Sequence, residues 1–118
     1  FVKYGNIFDW RSTPASHDAL MAESKPLEPW EPVVLAPRLI AAREAIGLNK
    51  ADFADMIGID RSSYTKIEKG EKPLLPREAS KIFRLFRVDL NYLYLGELGG
   101  LPPHLSSKVI ANLKKATS

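Results

Sequence analysis

Cysteine is absent from the 118 residues of the chain. Its absence excludes disulfides, zinc sites built on thiolates and a cysteine nucleophile. No apolar run approaches the roughly 20 residues that a membrane-spanning helix needs. No basic stretch followed by an apolar core marks a signal peptide. Together these absences predict a cytoplasmic protein that does not contact a membrane.

The motifs of common catalytic and metal sites are also missing. The sequence contains no G-x-x-x-x-G-K-[ST], G-x-S-x-G or H-E-x-x-H pattern. Its two histidines, His17 and His104, have no helical spacing to each other or to a pair of carboxylates, so no metal site is expected. Ser62 and Ser63 have no obvious histidine base. We therefore predict no enzyme activity, no catalytic residue, no metal and no cofactor.

Charge is distributed unevenly along the chain, although the net charge is only +3. Residues 1–36 contain three Lys and Arg against five Asp and Glu, whereas residues 37–118 contain 14 against nine. The basic excess therefore lies wholly on the second part of the chain. Such an excess favours a polyanion as the partner of that part.

Residues 49–70, NKADFADMIGIDRSSYTKIEKG, carry the strongest local pattern. They predict two short helices, about residues 50–57 and 61–69, preceded by the N-cap residues Asn49 and Asp60. Gly58 ends the first helix, because glycine tolerates a left-handed backbone. Apolar residues recur at three- and four-residue spacing and give each helix one buried face. The outer face of the second helix holds basic and hydroxylated side chains, namely Arg61, Ser62, Ser63, Thr65, Lys66 and Lys69.

This stretch resembles the helix-turn-helix of the Cro/C1-type repressor family, also called the XRE family. The resemblance rests on small, aliphatic and acidic residues at the family's spacing, namely Ala54, Gly58, Ile59, Ile67, Glu68 and Gly70. Tyr64 is a departure, since the family more often has isoleucine or valine at that place. We expect it to pack inward, with its hydroxyl finding a polar partner at the edge.

The resemblance implies an all-α fold, a five-helix lambda-repressor-like DNA-binding domain over residues 37–96. Besides the two motif helices, the sequence predicts helices at residues 37–47, 74–86, 89–96 and, beyond the domain, 106–116. Asp89 is expected to cap the fifth. Core positions are expected on the fourth and fifth helices at Ala79, Ile82, Phe83, Phe86, Leu90, Leu93 and Leu95. The sixth helix has Val109, Ile110 and Leu113 on one stripe and belongs to a C-terminal extension, residues 97–118, for which we favour a role at a dimer interface.

The resemblance also implies roles for residues of the motif. The recognition helix beginning at Arg61 would enter the major groove with its N-terminal end facing base edges. The expected base readers are Arg61, Ser62, Thr65 and Lys66. The expected phosphate ligands are Asn49, Lys50, Lys69 and Lys72. Arg43 of the first helix would form a buried ion pair with Glu68, since a buried charge must be paired.

Residues 1–36 differ from the rest of the chain, because prolines interrupt them and no helical or strand period runs through their aromatic residues. One interpretation is a mobile arm or an expression remnant. The other is an arm that packs on its own domain or on a partner, with Trp30 as an anchor. Because MAESKPLEPWEP reads like a natural beginning, we expect the native product to start at Met21.

The function that these features predict is that of a sequence-specific double-stranded DNA-binding transcriptional regulator, and specifically of a repressor. As in the resembled family, a homodimer would read a palindromic operator with half-sites about 34 Å apart. Such a protein would be associated with the nucleoid. Two alternatives stay open: an antitoxin that autoregulates its operon and binds a toxin through the N-terminal arm or the C-terminal helix, and a protein-interaction module that keeps the fold without binding DNA.

Overall fold

The computed structural model describes residues 26–117. Within this range the chain forms no strand and six helical elements: α1 Pro32–Ile46, α2 Lys50–Met56, α3 Arg61–Glu68, α4 Pro76–Phe86, α5 Asn91–Leu95 and α6 Pro103–Thr117. The predicted all-α class is confirmed. The expectations for residues 1–25, including a native start at Met21, lie outside the described residues.

The first helix begins at Pro32, so its predicted start at Pro37 is wrong. Pro32 occupies the first turn, where its missing N–H costs nothing. Pro37 lies inside the helix and cannot donate to the carbonyl of Val33. Val33 and Pro37 are both exposed residues of α1, while Leu35 and Ala36 are buried. Burial of the inner side thus keeps the helix continuous through a proline, and α1 crosses the predicted domain boundary at residue 36.

The core lies between α1, the two motif helices and α4. The Phe53 ring packs against Tyr64 at a centroid distance of 5.5 Å and against Phe86 at 5.2 Å. The predicted core positions Ala79, Ile82 and Leu93 are fully buried. Each such side chain contributes apolar area removed from water, which is the main favourable term in folding.

Two predicted core positions are wrong. Phe83 is 36% exposed, and the Arg87 guanidinium lies 5.1 Å from the centroid of its ring. Leu95 is 48% exposed. Leu95 belongs to α5, which is one wide π-type turn whose end is closed by the N–H of Gly96 bonding to the carbonyl of Asn91. Because a π turn holds more residues than an α turn, the α-helical spacing assumed for residues 89–96 assigned Leu95 to the wrong side.

The N-terminus of α5 is capped as predicted. The Asp89 carboxylate accepts a hydrogen bond from the N–H of Tyr92 at 3.3 Å, and the Asp89 carbonyl accepts one from Leu93 at 3.2 Å. The Tyr92 hydroxyl donates to the carbonyl of Arg38 at 2.8 Å. The last of these bonds fastens α5 to α1.

The last helix, α6, is longer than predicted and packs against α1 of its own chain. Leu105 and Val109 are buried there, and the Asn112 side chain donates to the carbonyl of Ala41 at 3.0 Å. The apolar stripe predicted for the C-terminal extension is therefore covered within the chain at Val109. None of the helices in residues 26–117 combines the length and the apolar character needed to cross a bilayer.

Candidate nucleic-acid interface

The two motif helices are held by the caps that the sequence predicts. The Asn49 side-chain oxygen accepts the N–H of Asp52 at 2.8 Å at the start of α2, and the Asp60 carboxylate accepts the N–H of Ser63 at 3.0 Å at the start of α3. Gly58, with φ 72°, takes the left-handed conformation in the turn between them. Side-chain caps of this kind satisfy backbone donors that have no partner within a helix.

The inner face of α3 is fixed by a buried polar network. The predicted ion pair is present: Arg43 Nε donates to Glu68 Oε2 at 2.7 Å, and Nη2 donates to Oε1 at 3.3 Å. Arg43 Nη1 donates to the carbonyl of Leu48 at 2.9 Å. Although burial opposes its charge, the hydrogen bond and the attraction to Glu68 raise the pKa of Arg43 above its usual value. The network therefore joins α1, the loop before α2 and the recognition helix.

Tyr64 is the third member of this network. Its side chain is fully buried and its hydroxyl donates to Glu68 Oε2 at 2.5 Å. We expected a polar partner at the edge of the domain. The partner is instead the buried carboxylate of Glu68. Burial, and then the bond to Glu68, raises the pKa of the Tyr64 phenol. No buried side-chain N or O atom among residues 26–117 lacks a hydrogen-bond partner.

Arg61, the first residue of α3, forms a two-point ion pair with Asp55 of α2. Nε donates to Oδ1 at 3.2 Å and Nη2 donates to Oδ2 at 2.7 Å. Both side chains are largely exposed, 63% for Arg61 and 54% for Asp55. The hydrogen bond from Arg61 lowers the pKa of Asp55, and the bond to Asp55 raises that of Arg61.

The hydroxyl groups of the recognition helix donate to groups of the same motif. Ser62 Oγ donates to Asp60 Oδ2 at 2.5 Å, and Thr65 Oγ1 donates to the carbonyl of Arg61 at 3.0 Å. The Ser62 hydrogen bond, followed by the Ser63 backbone bond, lowers the pKa of Asp60. Lys72, from the loop after α3, donates to Ser63 Oγ at 3.0 Å. Of the expected phosphate ligands, Lys72 is therefore directed at the start of α3.

The other expected DNA contacts lie on the surface. Lys50, Lys66 and Lys69 are exposed, and their side chains form no hydrogen bond or ion pair with the described residues. The cap uses only the oxygen of Asn49, so its amide nitrogen keeps two donors for another partner. The eight expected DNA-contacting residues thus all lie on α2, α3 or the two adjoining loops.

The comparisons with known proteins identify the domain. A family model described as "Helix-turn-helix" matches residues 39–93. The chain contains a Cro/C1-type helix-turn-helix domain. Neither the curated proteins nor the solved structures gave a match to this chain.

The matched residues of this helix-turn-helix domain run from within α1 to within α5. Their all-helical arrangement agrees with the lambda-repressor-like fold that the sequence predicts. The domain family is a DNA-binding family and not an enzyme family. Within residues 26–117 no group of three or more His, Asp or Glu side chains is placed to hold a metal ion.

Sequence reasoning missed one part of this surface, the acidic side chains beside the recognition helix. The outer face of α3 itself holds only basic and hydroxylated side chains, as expected, but Asp55 of α2 and the cap residue Asp60 bond to its first two residues. For Asp60 the signal was present in the sequence, since a capping carboxylate lies within reach of the next residues. For Asp55 it was not, because its pairing with a residue six positions later depends on the angle of the turn.

Proposed function

We propose that this protein is a transcriptional regulator that binds a specific double-stranded DNA sequence and represses transcription. The observation that carries the proposal is the two-sided character of α3. Its inner side is fastened by Arg43, Glu68 and Tyr64. Its outer side exposes Arg61 and Ser62 at the N-terminal end and Lys66 in the last turn. A rigid helix with exposed, hydrogen-bonding residues at its N-terminal end suits readout in the major groove.

Arg61 is the main base reader in this proposal. A guanidinium has five N–H donors, and Asp55 occupies only one edge of it. Arginine contacts guanine O6 and N7 more often than any other base edge, so each half-site should contain a guanine opposite Arg61. Ser62, Thr65 and Lys66 follow along the same helix and would contact neighbouring bases.

Phosphate contacts would fix the register of the domain on the duplex. Lys50 and the free amide of Asn49 lie at the start of α2, and Lys69 and Lys72 lie at and beyond the end of α3. These positions flank the recognition helix, as backbone contacts do in helix-turn-helix complexes. Their contribution is independent of sequence and weakens as salt rises.

The assembly that we propose is a two-fold homodimer on a palindromic operator. The recognition helix has eight residues, which contact too few base pairs to select one site in a genome. Two copies related by a dyad would read half-sites about 34 Å apart, one turn of the duplex. With DNA as its partner, the protein would act in the cytoplasm on the nucleoid.

A randomised duplex pool tests this function. The full chain is bound to the pool at near-physiological salt, and the bound duplexes are recovered over several rounds and sequenced. We expect a palindromic consensus with a guanine in each half-site and half-sites one turn apart. Absence of any enriched sequence, together with binding that vanishes at moderate salt, would mean non-specific attraction only and would contradict the proposal.

A further inference from the structure

The pair between Arg61 and Asp55 has no evident value for folding. Both side chains are more than half exposed, and exposed ion pairs add little to stability because water and salt screen them and two long side chains lose freedom. Asp55 also places a negative charge beside the proposed DNA-binding surface, where it opposes the approach of phosphates. A carboxylate at this place therefore needs another explanation.

The geometry of the pair supplies one. Asp55 bonds to Nε and Nη2, the lateral edge of the Arg61 guanidinium. The remaining N–H groups are the two on Nη1 and one on Nη2, and two of these point from the other edge of the same plane. That free edge is the fork that matches O6 and N7 of a guanine. Asp55 thus occupies the edge that is not needed for reading the base.

We propose that Asp55 is a positioning residue for DNA recognition, which orients Arg61 on α3 so that its free guanidinium edge reads one guanine in each half-site. This rests on the proposed function. A long arginine side chain otherwise loses much of its freedom when it binds, and a side chain already held in the bound orientation loses less. In this proposal the charge of Asp55 lowers the affinity for all DNA, and its bond to Arg61 raises the discrimination among bases at one position.

The chain offers a matched control in Asp52. It lies on the same helix, α2, is likewise exposed and carries the same charge, but it forms no ion pair with a described residue. Asp52→Ala and Asp55→Ala therefore remove the same charge from the same element. Both changes should raise the affinity for duplexes that lack the guanine opposite Arg61 to a similar degree. Only Asp55→Ala should reduce the advantage of the duplex that has this guanine.

The experiment measures binding of the full chain to the duplex selected from the pool and to duplexes with each other base at each half-site position. The position at which Arg61→Ala abolishes the preference of the wild type identifies the base that Arg61 reads. At that position Asp55→Ala should lower the preference for guanine about two- to tenfold, within the range found for coupled neighbouring residues. Asp52→Ala should leave it unchanged, and Asp55→Glu, which keeps a carboxylate, should recover part of it.

A double variant separates positioning from a general effect. In the Arg61→Ala background, Asp55→Ala should change the affinity for all four bases at that position alike, and by as much as Asp52→Ala does, because there is no guanidinium left to orient. Thermal unfolding of each variant verifies that the fold is kept. A base-specific effect of Asp55→Ala that requires Arg61, and that Asp52→Ala does not share, would support the proposal.

Three results would overturn it. An unchanged or increased preference in Asp55→Ala would show that Asp55 merely competes with DNA for Arg61. An equal effect of Asp52→Ala would show a bulk charge effect. If the wild type itself has no base preference, the proposed function and this inference both fall, whereas a wild-type preference that survives Asp55→Ala removes only the inference.

Discussion

At the scale of single residues, the position of the recognition helix depends on three buried polar side chains. Arg43, Glu68 and Tyr64 satisfy one another, and the side chains of the ion pair are only 10% and 3% exposed. A buried pair of this kind is costly to break, because the remaining charge has no partner and no water. The same pair links α1 to α3, so its loss would also loosen the helix that we propose reads DNA.

Arg43→Met tests this link. The change keeps an apolar stem but leaves Glu68 without its cation, and we expect it to lower the free energy of unfolding by about 3–5 kcal/mol. Arg84→Met is the control, since Arg84 is an exposed helical arginine without an ion pair among the described residues. Denaturant unfolding measures both. Equal, small losses in the two variants would contradict a buried ion pair.

Because of Tyr64, we expect the free energy of unfolding to fall at alkaline pH. Burial raises the pKa of Tyr64, and the pKa values of Tyr92 and Tyr94 are raised for the same reason. Above about pH 10 the unfolded chain loses phenol protons that the folded chain keeps. The unfolded state then binds fewer protons, so stability must fall as pH rises above that value.

Tyr64→Phe should reduce this alkaline loss and lower stability at neutral pH. A hydrogen bond to a carboxylate is removed, and we expect a loss of about 1–3 kcal/mol near pH 7. Between about pH 7 and pH 11 the variant should lose less free energy of unfolding than the wild type. Urea unfolding across this range measures both quantities. Parallel pH profiles for the two proteins would contradict the placement of Tyr64.

The resemblance to the Cro/C1-type family implied the Arg43–Glu68 pair, and the pattern of residues supported it, whereas neither indicated the Asp55–Arg61 pair. Arg43 and Glu68 each interrupt an apolar helical stripe, and a charge on such a stripe requires a partner of opposite sign. Asp55 and Arg61 are both ordinary exposed charges in the sequence. Their contact is created by the angle between α2 and α3, which no local pattern specifies.

At the scale of elements, α1 and the end of α3 contact each other through backbone atoms. Gly70, which follows α3, has φ 77°, and a Cβ at this place would lie 3.0 Å from Cα of Val33. Val33 belongs to the first turn of α1, in the part of the helix that the sequence did not predict. Glycine at position 70 is therefore required both by its backbone conformation and by the closeness of α1.

Gly70→Ala tests this contact against Gly47→Ala. Gly47 also has positive φ, 95°, but a Cβ there would meet nothing within 4 Å. Gly47→Ala should therefore lose only the conformational term of about 1–2 kcal/mol. Gly70→Ala should lose about 1–3 kcal/mol more, because the backbone of Val33 must also move. Indistinguishable unfolding free energies would show that residue 33 does not pack there.

Element boundaries show where local patterns stop being sufficient. The caps at Asn49 and Asp60 and the proline at the start of α4 set their helix starts directly. Pro37 misled the prediction for α1, because the rule that proline breaks a helix was outweighed by burial of Leu35. Tertiary packing decides whether a helix continues through a proline, and a local sequence pattern does not show that packing.

At the scale of the whole molecule, the same limit applies to α6. Its apolar stripe was visible in the sequence, which indicates that one face is buried but not what covers it. In the structure α1 of the same chain covers Val109. The proposed dimer therefore cannot use the buried Val109 side of α6. A dimer role for the rest of the C-terminal extension stays a prediction.

The proposal that α3 reads a DNA sequence is tested most directly by an affinity ratio. The two duplexes compared are the selected operator and a scrambled sequence of equal length and composition. The ratio is measured at near-physiological salt for the wild type, Arg61→Ala and Lys50→Ala. We expect Arg61→Ala to lose about 1–3 kcal/mol on the operator and little on the scrambled duplex. Lys50→Ala, as a phosphate contact, should weaken both alike and lower the salt slope by about one. An equal loss on both duplexes for Arg61→Ala would contradict sequence readout by α3.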